Sequence, residues 1–367
     1  MSEIFRNLGL GFGTIANVQS LIFIFIGMIV GILGGAIPGI SPSMAVALLL
    51  PITYSLSPVV AMVMLMGIYI GANYGGSITA VAINTPGTPS ATVTAFDGYP
   101  LLKKGRAGEA MGISLWASVF GGLIGAIILI FFSVPLSKAA LKFWPSEYFA
   151  LCIMGLTTVA TLGGKHWQKA LMTCLFGLLL NTMGLDPTFG IKRFTFGVTK
   201  LFDGFEMVPV LIGLFALGEV LSNLEHYKTA KVECQNVDYK LPNLFYYWKL
   251  KFSILRAGVI GCLIGIFPGA GGTIASFLAY DAEKRISKHP DDFGQGAPEG
   301  VAASEASNSG SVGGAMVPLL TLGIPGSSTA AVLLSALMIH NLNPGPKLFT
   351  ERPVLNELER LIIPCTS

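Results

Sequence analysis

The chain is short of charge. Only 12% of its 367 residues are Asp, Glu, Lys or Arg, about half the roughly 25% usual in soluble domains. Between Asn7 and Phe96 there is none at all, which excludes a water-exposed surface over that stretch. The five cysteines, Cys152, Cys174, Cys234, Cys262 and Cys365, lie far apart with no CxxC pair, so neither a metal nor a redox centre is expected. Four scattered histidines offer no nucleophile–base pair, and an enzyme is not expected. No Walker A sequence occurs, and "GFGTIA" (11–16) lacks the β-α-β context of a nucleotide site. A net charge of +3 gives no reason to expect nucleic acid. The start, "MSEIFRNLGLGFG", has no basic n-region leading to a small-residue cleavage site and reads as uncleaved.

What is abundant is apolar. Hydrophobic residues make up 52% of the chain, and the mean hydropathy is +0.68. Charge-free runs cover 7–96, 110–137, 148–164, 170–185, 207–218, 257–280 and 306–346. A membrane helix needs roughly 20 mainly apolar residues, and the first run is long enough for several. Transmembrane β-barrels show short alternating segments instead. The predicted fold is therefore all-α: a polytopic helical bundle in a lipid bilayer, where helices satisfy their own backbone groups. The loops at 97–109 and 225–256 are richer in Lys and Arg than in Asp and Glu, and the positive-inside rule lets both face the cytoplasm.

Helix breakers interrupt this pattern. "GILGGAIPG" (31–39) matches "GCLIGIFPG" (261–269) at an offset of 230, through Gly31, Leu33, Gly35, Pro38 and Gly39. Pro86-Gly87 matches Pro325-Gly326 at an offset of 239. Each half thus holds an early and a late Pro-Gly break. The organisation reads as a first repeat core at 1–109, intervening helices and a basic loop at 110–256, and a second repeat core at 257–367. Gly and Pro are common in membrane helices, and the pairs Gly31/Gly35, Gly121/Gly125 and Gly261/Gly265 suit close helix packing. One isolated break would be structural. Four breaks paired across two halves point to a secondary transporter with its site at the breaks, the two repeats being expected to be inverted relative to one another.

The physical reason is that a broken helix frees backbone N–H and C=O groups. In lipid these must line a cavity or meet a ligand, and the N-terminal ends favour anions. The candidate substrate-binding residues follow the breaks: Ser41 and Ser43; Thr85, Gly87, Thr88 and Ser90; Gly271, Gly272 and Thr273; Gly326, Ser327, Ser328 and Thr329. Small hydroxyls there also suit ordinary helix caps. Asn73 joins them as a buried amide needing a partner. Asn308 and Glu305 are the candidates for ion coupling, since an ionisable group inside a membrane is a functional suspect. Glu219, near a span end, is a weaker one. Asp97 is expected to open the first charged loop and cap the segment after it. No cation lies within the break segments, so an anionic substrate implies a co-bound sodium ion or proton.

Three stretches carry a resemblance: "GGAIPGISPSMAVALLLPITYSLSP", "GANYGGSITAVAINTPGTPSATVTAFDGYPLLKKGRAGEAMG" and "FPGAGGTIASFLAYDAEKRISKHPDDFGQGAPEGVAASEASNSGSVGGAMVPLLTLGIPGSSTAAVLL". They resemble the large membrane subunit of tripartite tricarboxylate transporters, the TctA family, over nearly the whole chain. The resemblance implies a multi-pass permease of the bacterial inner membrane. Its partners would be a small membrane subunit and a periplasmic solute-binding protein. Its substrates would be citrate-like carboxylates, taken up on an ion gradient. Where the family usually reads "PEAANNA", this chain has "SEASNSG" at 304–310, which keeps Glu305 and only part of the rest. Family members continue through further spans, whereas this chain stops at "LIIPCTS". The rival reading is accordingly a truncated, non-transporting membrane interaction protein of the same family.

Overall fold

The computed structural model describes, apart from single positions, residues 15–142, 167–185, 192–205 and 244–349, without Pro38, Asp203 and Ala270. Several expectations fall outside the described residues: most of the runs at 148–164 and 207–218, most of the loop at 225–256, Glu219, Pro38 and the segment after 349.

Helix α1 (Val18–Ala36) leads to a break, then to the short α2 (Pro42–Leu49) and a 3-10 segment (Leu50–Ser55). Helix α3 (Pro58–Ile83) follows, then a second break with a 3-10 turn at Pro89–Ala91, then α4 (Thr92–Lys103). The long α5 (Ala107–Ala140) and α6 (Trp167–Asn181) come next. A two-residue antiparallel pairing, β1 (Gly184–Leu185) with β2 (Lys192–Arg193), is a minor departure from an all-helical chain. After α7 (Leu244–Trp248), the plan repeats: α8 (Lys251–Ile266), a break, α9 (Gly271–Ile286), α10 (Pro298–Leu322), a break and α11 (Ser328–Ile339). Among the described residues, three helices are long and apolar enough to cross a membrane: Val18–Ala36, Pro58–Ile83 and Ala107–Leu136.

Glycine decides how these helices pack. A Cβ on Gly31 would stand 2.5 Å from the Ile68 carbonyl, and one on Gly35 2.0 Å from that of Ala72. Helix α1 therefore lies on the backbone of α3. In the second unit, Gly261 and Gly265 hold α8 equally close to the carbonyls of Ser307 and Ser311 on α10, at 2.2 and 2.5 Å. Gly121 and Gly125 of α5 approach α10 at Ala306 and Gly310 in the same way. All three G-x-x-x-G pairs thus sit at helix contacts, where hydrocarbon gives no hydrophobic drive and close backbone approach supplies dispersion instead. The outer faces carry Leu21, Phe25, Ile29 and Leu33 of α1 and Leu123, Ile127 and Phe131 of α5, all exposed, as a lipid-facing surface requires.

Helix directions follow from which residues meet. Gly27, Gly31 and Gly35 meet Met64, Ile68 and Ala72 in order, so α1 and α3 run parallel. Gly261 and Gly265 meet Ser307 and Ser311, so α8 and α10 do too. Between the units the order reverses. Leu65 and Ile68 share one core cluster with Val312, Met316 and Leu319. Val81, further along α3, clusters with Val301 and Ala302. Helices α3 and α10 therefore run antiparallel.

One expected loop is largely helical. Residues 97–103 belong to α4, and α5 begins at Ala107, so the first charged loop shrinks to 104–106. Its charge misled the reading, because Asp97 is fully buried. One Asp97 carboxylate oxygen accepts the N–H groups of Gly294, Gly296 and Ala297, each at 2.8 Å, and the other accepts the Tyr280 hydroxyl at 2.8 Å. It caps the turn that starts α10, far along the chain, rather than the segment after it. Helix α9 likewise carries charge in its last turns, extending through Asp281, Glu283, Lys284 and Arg285 to Ile286.

Candidate functional site

Both late breaks are built the same way. Asn84 ends α3 with φ 53°, and Gly323 ends α10 with φ 72°; the two are related by the offset of 239. The left-handed turn satisfies the last carbonyls of each helix. The chain then doubles back. Gly87 N–H donates to the Gly76 carbonyl at 3.1 Å, and a Cβ on Gly87 would stand 2.0 Å from the Gly35 carbonyl. Gly326 repeats this against Ala315 and the Gly265 carbonyl, and its own carbonyl accepts the Gly269 N–H at 3.1 Å. At Gly87 and Gly326 the backbone that comes close is thus the protein's own. The early breaks turn at Gly39 (φ 95°) and Gly269 (φ 79°), a left-handed pair at the offset of 230, where only glycine is unstrained.

These breaks bring helix starts into the interior. A Cβ on Gly272, at the start of α9, would stand 2.6 Å from the Asn308 side-chain oxygen, 3.1 Å from Ser311 Oγ and 3.5 Å from Ser90 Cβ. The first N–H groups of α9 have no partner within the helix. Asn308 is 1% exposed, and neither atom of its amide has a hydrogen-bond partner among the described residues. Each such orphan costs about 1–3 kcal/mol. Ser90 and Thr88 stand beside it, their hydroxyls 3.2 Å apart. Gly271, at φ 60°, lies against Ser327, its virtual Cβ 3.9 Å from that of the serine. Ser327 caps α11 by accepting Ala330 N–H at 3.1 Å, and its hydroxyl lies 3.2 Å from that of Tyr69. One locus thus unites Ser90, Gly271, Gly272, Asn308 and Ser327 from both units.

The remaining candidates sit around this locus or apart from it. Thr273 is half-buried in the first turn of α9. Ser41 caps α2 through Met44 N–H at 3.2 Å and bonds Ser43 at 3.0 Å. Thr85 donates to the Ile83 carbonyl at 3.3 Å. Ser328 is exposed and Thr329 buried. Asn73 is buried on α3, one turn from Tyr69, and its carbonyl accepts from Ser77.

Glu305 lies one turn before Asn308 on α10, on the same face. It is fully buried. Three hydroxyls from three helices converge on its carboxylate: Ser77 at 2.6 Å, Ser118 at 2.9 Å, and Thr94. Thr94 also meets Ser304 at 3.0 Å. Sequence reasoning missed these hydroxyls, which look like any others in an apolar run. It also missed Tyr69, although a signal existed: the offset of 239 that pairs the late breaks places Tyr69 opposite Asn308.

Two broken-helix units meeting at a polar locus inside an apolar bundle define a helical membrane transport protein. The profile described as the tripartite tricarboxylate transporter TctA family matches residues 21–356. The chain belongs to that family, so it is a component of a tripartite system whose other subunits are its partners. Two similar proteins come from Agrobacterium vitis. An uncharacterized 52.8 kDa protein of the TAR-I ttuC' 3' region is 40% identical over 355 residues, 97% of this chain and 71% of the relative. An uncharacterized protein of the TAR-II ttuC' 3' region is 43% identical over 95 residues, 26% of this chain and 39% of the relative. No solved structure matches.

Proposed function

We propose that this chain is the large permease subunit of a tripartite secondary transporter that takes up citrate-like carboxylates across the bacterial inner membrane. The observation that carries this reading is the unpartnered, buried amide of Asn308 beside the start of α9. Free backbone N–H groups and an amide favour an anion, and Ser90 adds a hydroxyl from the opposite unit. A carboxylate bound there needs no cationic side chain. Its negative charge is balanced by a co-transported sodium ion or proton, and Glu305 is the group that responds to it. The antiparallel run of α3 and α10 supports two inverted repeats, and alternating access then follows from one unit moving against the other about their shared locus. A small membrane subunit and a periplasmic solute-binding protein complete the system.

The test is uptake. Vesicles holding this chain and both partner subunits should accumulate labelled citrate when a sodium or proton gradient is imposed. Asn308→Ala should abolish accumulation, and Glu305→Gln should leave citrate binding while removing the response to the gradient. Uptake that required ATP, or that ignored every cation gradient, contradicts the proposal.

A further inference from the structure

The locus has two ends, and their chemistry differs from that of a single-anion site. At one end, the hydroxyls of Thr88 and Ser90 lie 3.2 Å apart beside Asn308 and the start of α9. At the other, those of Tyr69 and Ser327 lie 3.2 Å apart at the start of α11. Thr88 and Ser327 are equivalent under the offset of 239, as are Tyr69 and Asn308. Hydroxyl–hydroxyl bonds are usually about 2.7–2.8 Å long, so both pairs are loosely held. Each can open into a fork of two donors, which is the geometry a carboxylate accepts.

Two adjacent glycines link the two forks. Ser90 stands next to Gly272 and Ser327 next to Gly271, with virtual Cβ distances of 3.5 and 3.9 Å. Adjacent Cα atoms are 3.8 Å apart, which keeps the two serine Cβ atoms within roughly 13 Å of one another. An acid with roughly two or three carbons between its carboxylates fits within that limit once a hydrogen bond of about 2.8 Å is added at each end. Glycine at 272 makes room for the Asn308 amide and the Ser311 hydroxyl, which a Cβ there would meet at 2.6 and 3.1 Å.

Resting on the reading of this locus as a carboxylate site, we propose that Tyr69 and Ser327 form a second carboxylate subsite. They make the chain itself selective for acids with two or more carboxylates, independently of any solute-binding protein. Tyr69 is then a specificity-determining residue, and its counterpart Asn308 anchors the first carboxylate whatever the rest of the acid.

Succinate and butyrate test this, being four-carbon acids that differ by one carboxylate. Each is titrated against the purified full chain in lipid nanodiscs, with binding read from thermal stabilisation. The native chain should bind succinate more tightly than butyrate. Tyr69→Phe should weaken succinate by on the order of tenfold, the loss expected for one hydrogen bond to a charged group, and leave butyrate within about twofold. Ser327→Ala should reproduce that selectivity change from the other helix, so the test stands if either variant folds poorly. Equal losses for both acids, or none for either, overturn the second subsite while leaving the first. Binding that survives Asn308→Ala, or no response of the native chain to either acid, removes the site itself and the proposal with it.

Discussion

The two broken-helix units share a backbone and differ in their polar equipment. Gly39 and Gly269, Asn84 and Gly323, Gly87 and Gly326 take the same conformations or contacts at constant offsets. Yet where the first unit has Met66, Tyr69, Ser41 and Ser43, the second has Glu305, Asn308, Gly271 and Thr273. The start of α2 is capped by the hydroxyl of Ser41. The matching start in the second unit has glycine, which cannot cap with a side chain, and faces an amide without a partner. The shared part is what packing in lipid demands of any such unit. The unshared part marks where the molecule departs from packing, and at these matched positions the ionisable Glu305 and the unpartnered Asn308 both fall in the second unit.

The largest effects should come from breaking what the units share. Gly31→Val and Gly261→Val each force a side chain into a neighbouring carbonyl, at 2.5 and 2.2 Å from the first added carbon. Backbone cannot yield as a flexible side chain does, so the cost exceeds the roughly 1–3 kcal/mol of ordinary overpacking. Both variants should fail to give a monodisperse peak in size-exclusion chromatography. If only one fails, the units do not share their packing logic.

Next comes Asp97→Ala. It strands the N–H groups of Gly294, Gly296 and Ala297, each of which donates to one carboxylate oxygen at 2.8 Å. Leaving buried donors unpaired costs about 1–3 kcal/mol apiece, less whatever water recovers. Hydrogen exchange should rise at 294–301, with little change at the late break of the second unit.

Asn308→Ala should have the opposite sign. Removing a buried amide that has no partner relieves a cost of about 1–3 kcal/mol, offset in part by the small cavity left behind. The variant should melt at a temperature equal to or above that of the native chain, a trade of stability for function. A clear loss of stability would mean the amide is structurally engaged.

The smallest effect is expected from Ser41→Ala. Loss of one cap costs about 1 kcal/mol, read as a small drop in melting temperature with binding intact. This sharpens the comparison, because the matching change at Gly271 strains a residue at φ 60° and should disturb binding as well.

Much of this was legible in the sequence because proline and glycine are hard to misread. The charge-free stretch between the early and late breaks of the first half holds one long helix, Pro58–Ile83, bounded by Ser57 and Asn84. The offsets of 230 and 239 pair Gly35 with Gly265 and Gly87 with Gly326, which do occupy matching contacts. The rest was hidden for physical reasons. Membrane helices are apolar on every side, so no stripe tells which face is buried. Ser77, Thr94 and Ser118 gave no hint that they share the Glu305 carboxylate. Charge misled at Asp97, whose partners lie some two hundred residues away.

The most direct test is the ligand response of the Asn308 locus. Citrate is added to the native chain and to Asn308→Ala, each in lipid nanodiscs, and the melting temperature is followed. Ligand that binds only the folded chain raises its stability by about 2.7 kcal/mol at one hundred times its dissociation constant. The native chain should show a saturable rise with citrate, whereas Asn308→Ala should start as stable or more so and show no rise. Equal citrate responses in the two proteins would contradict the account.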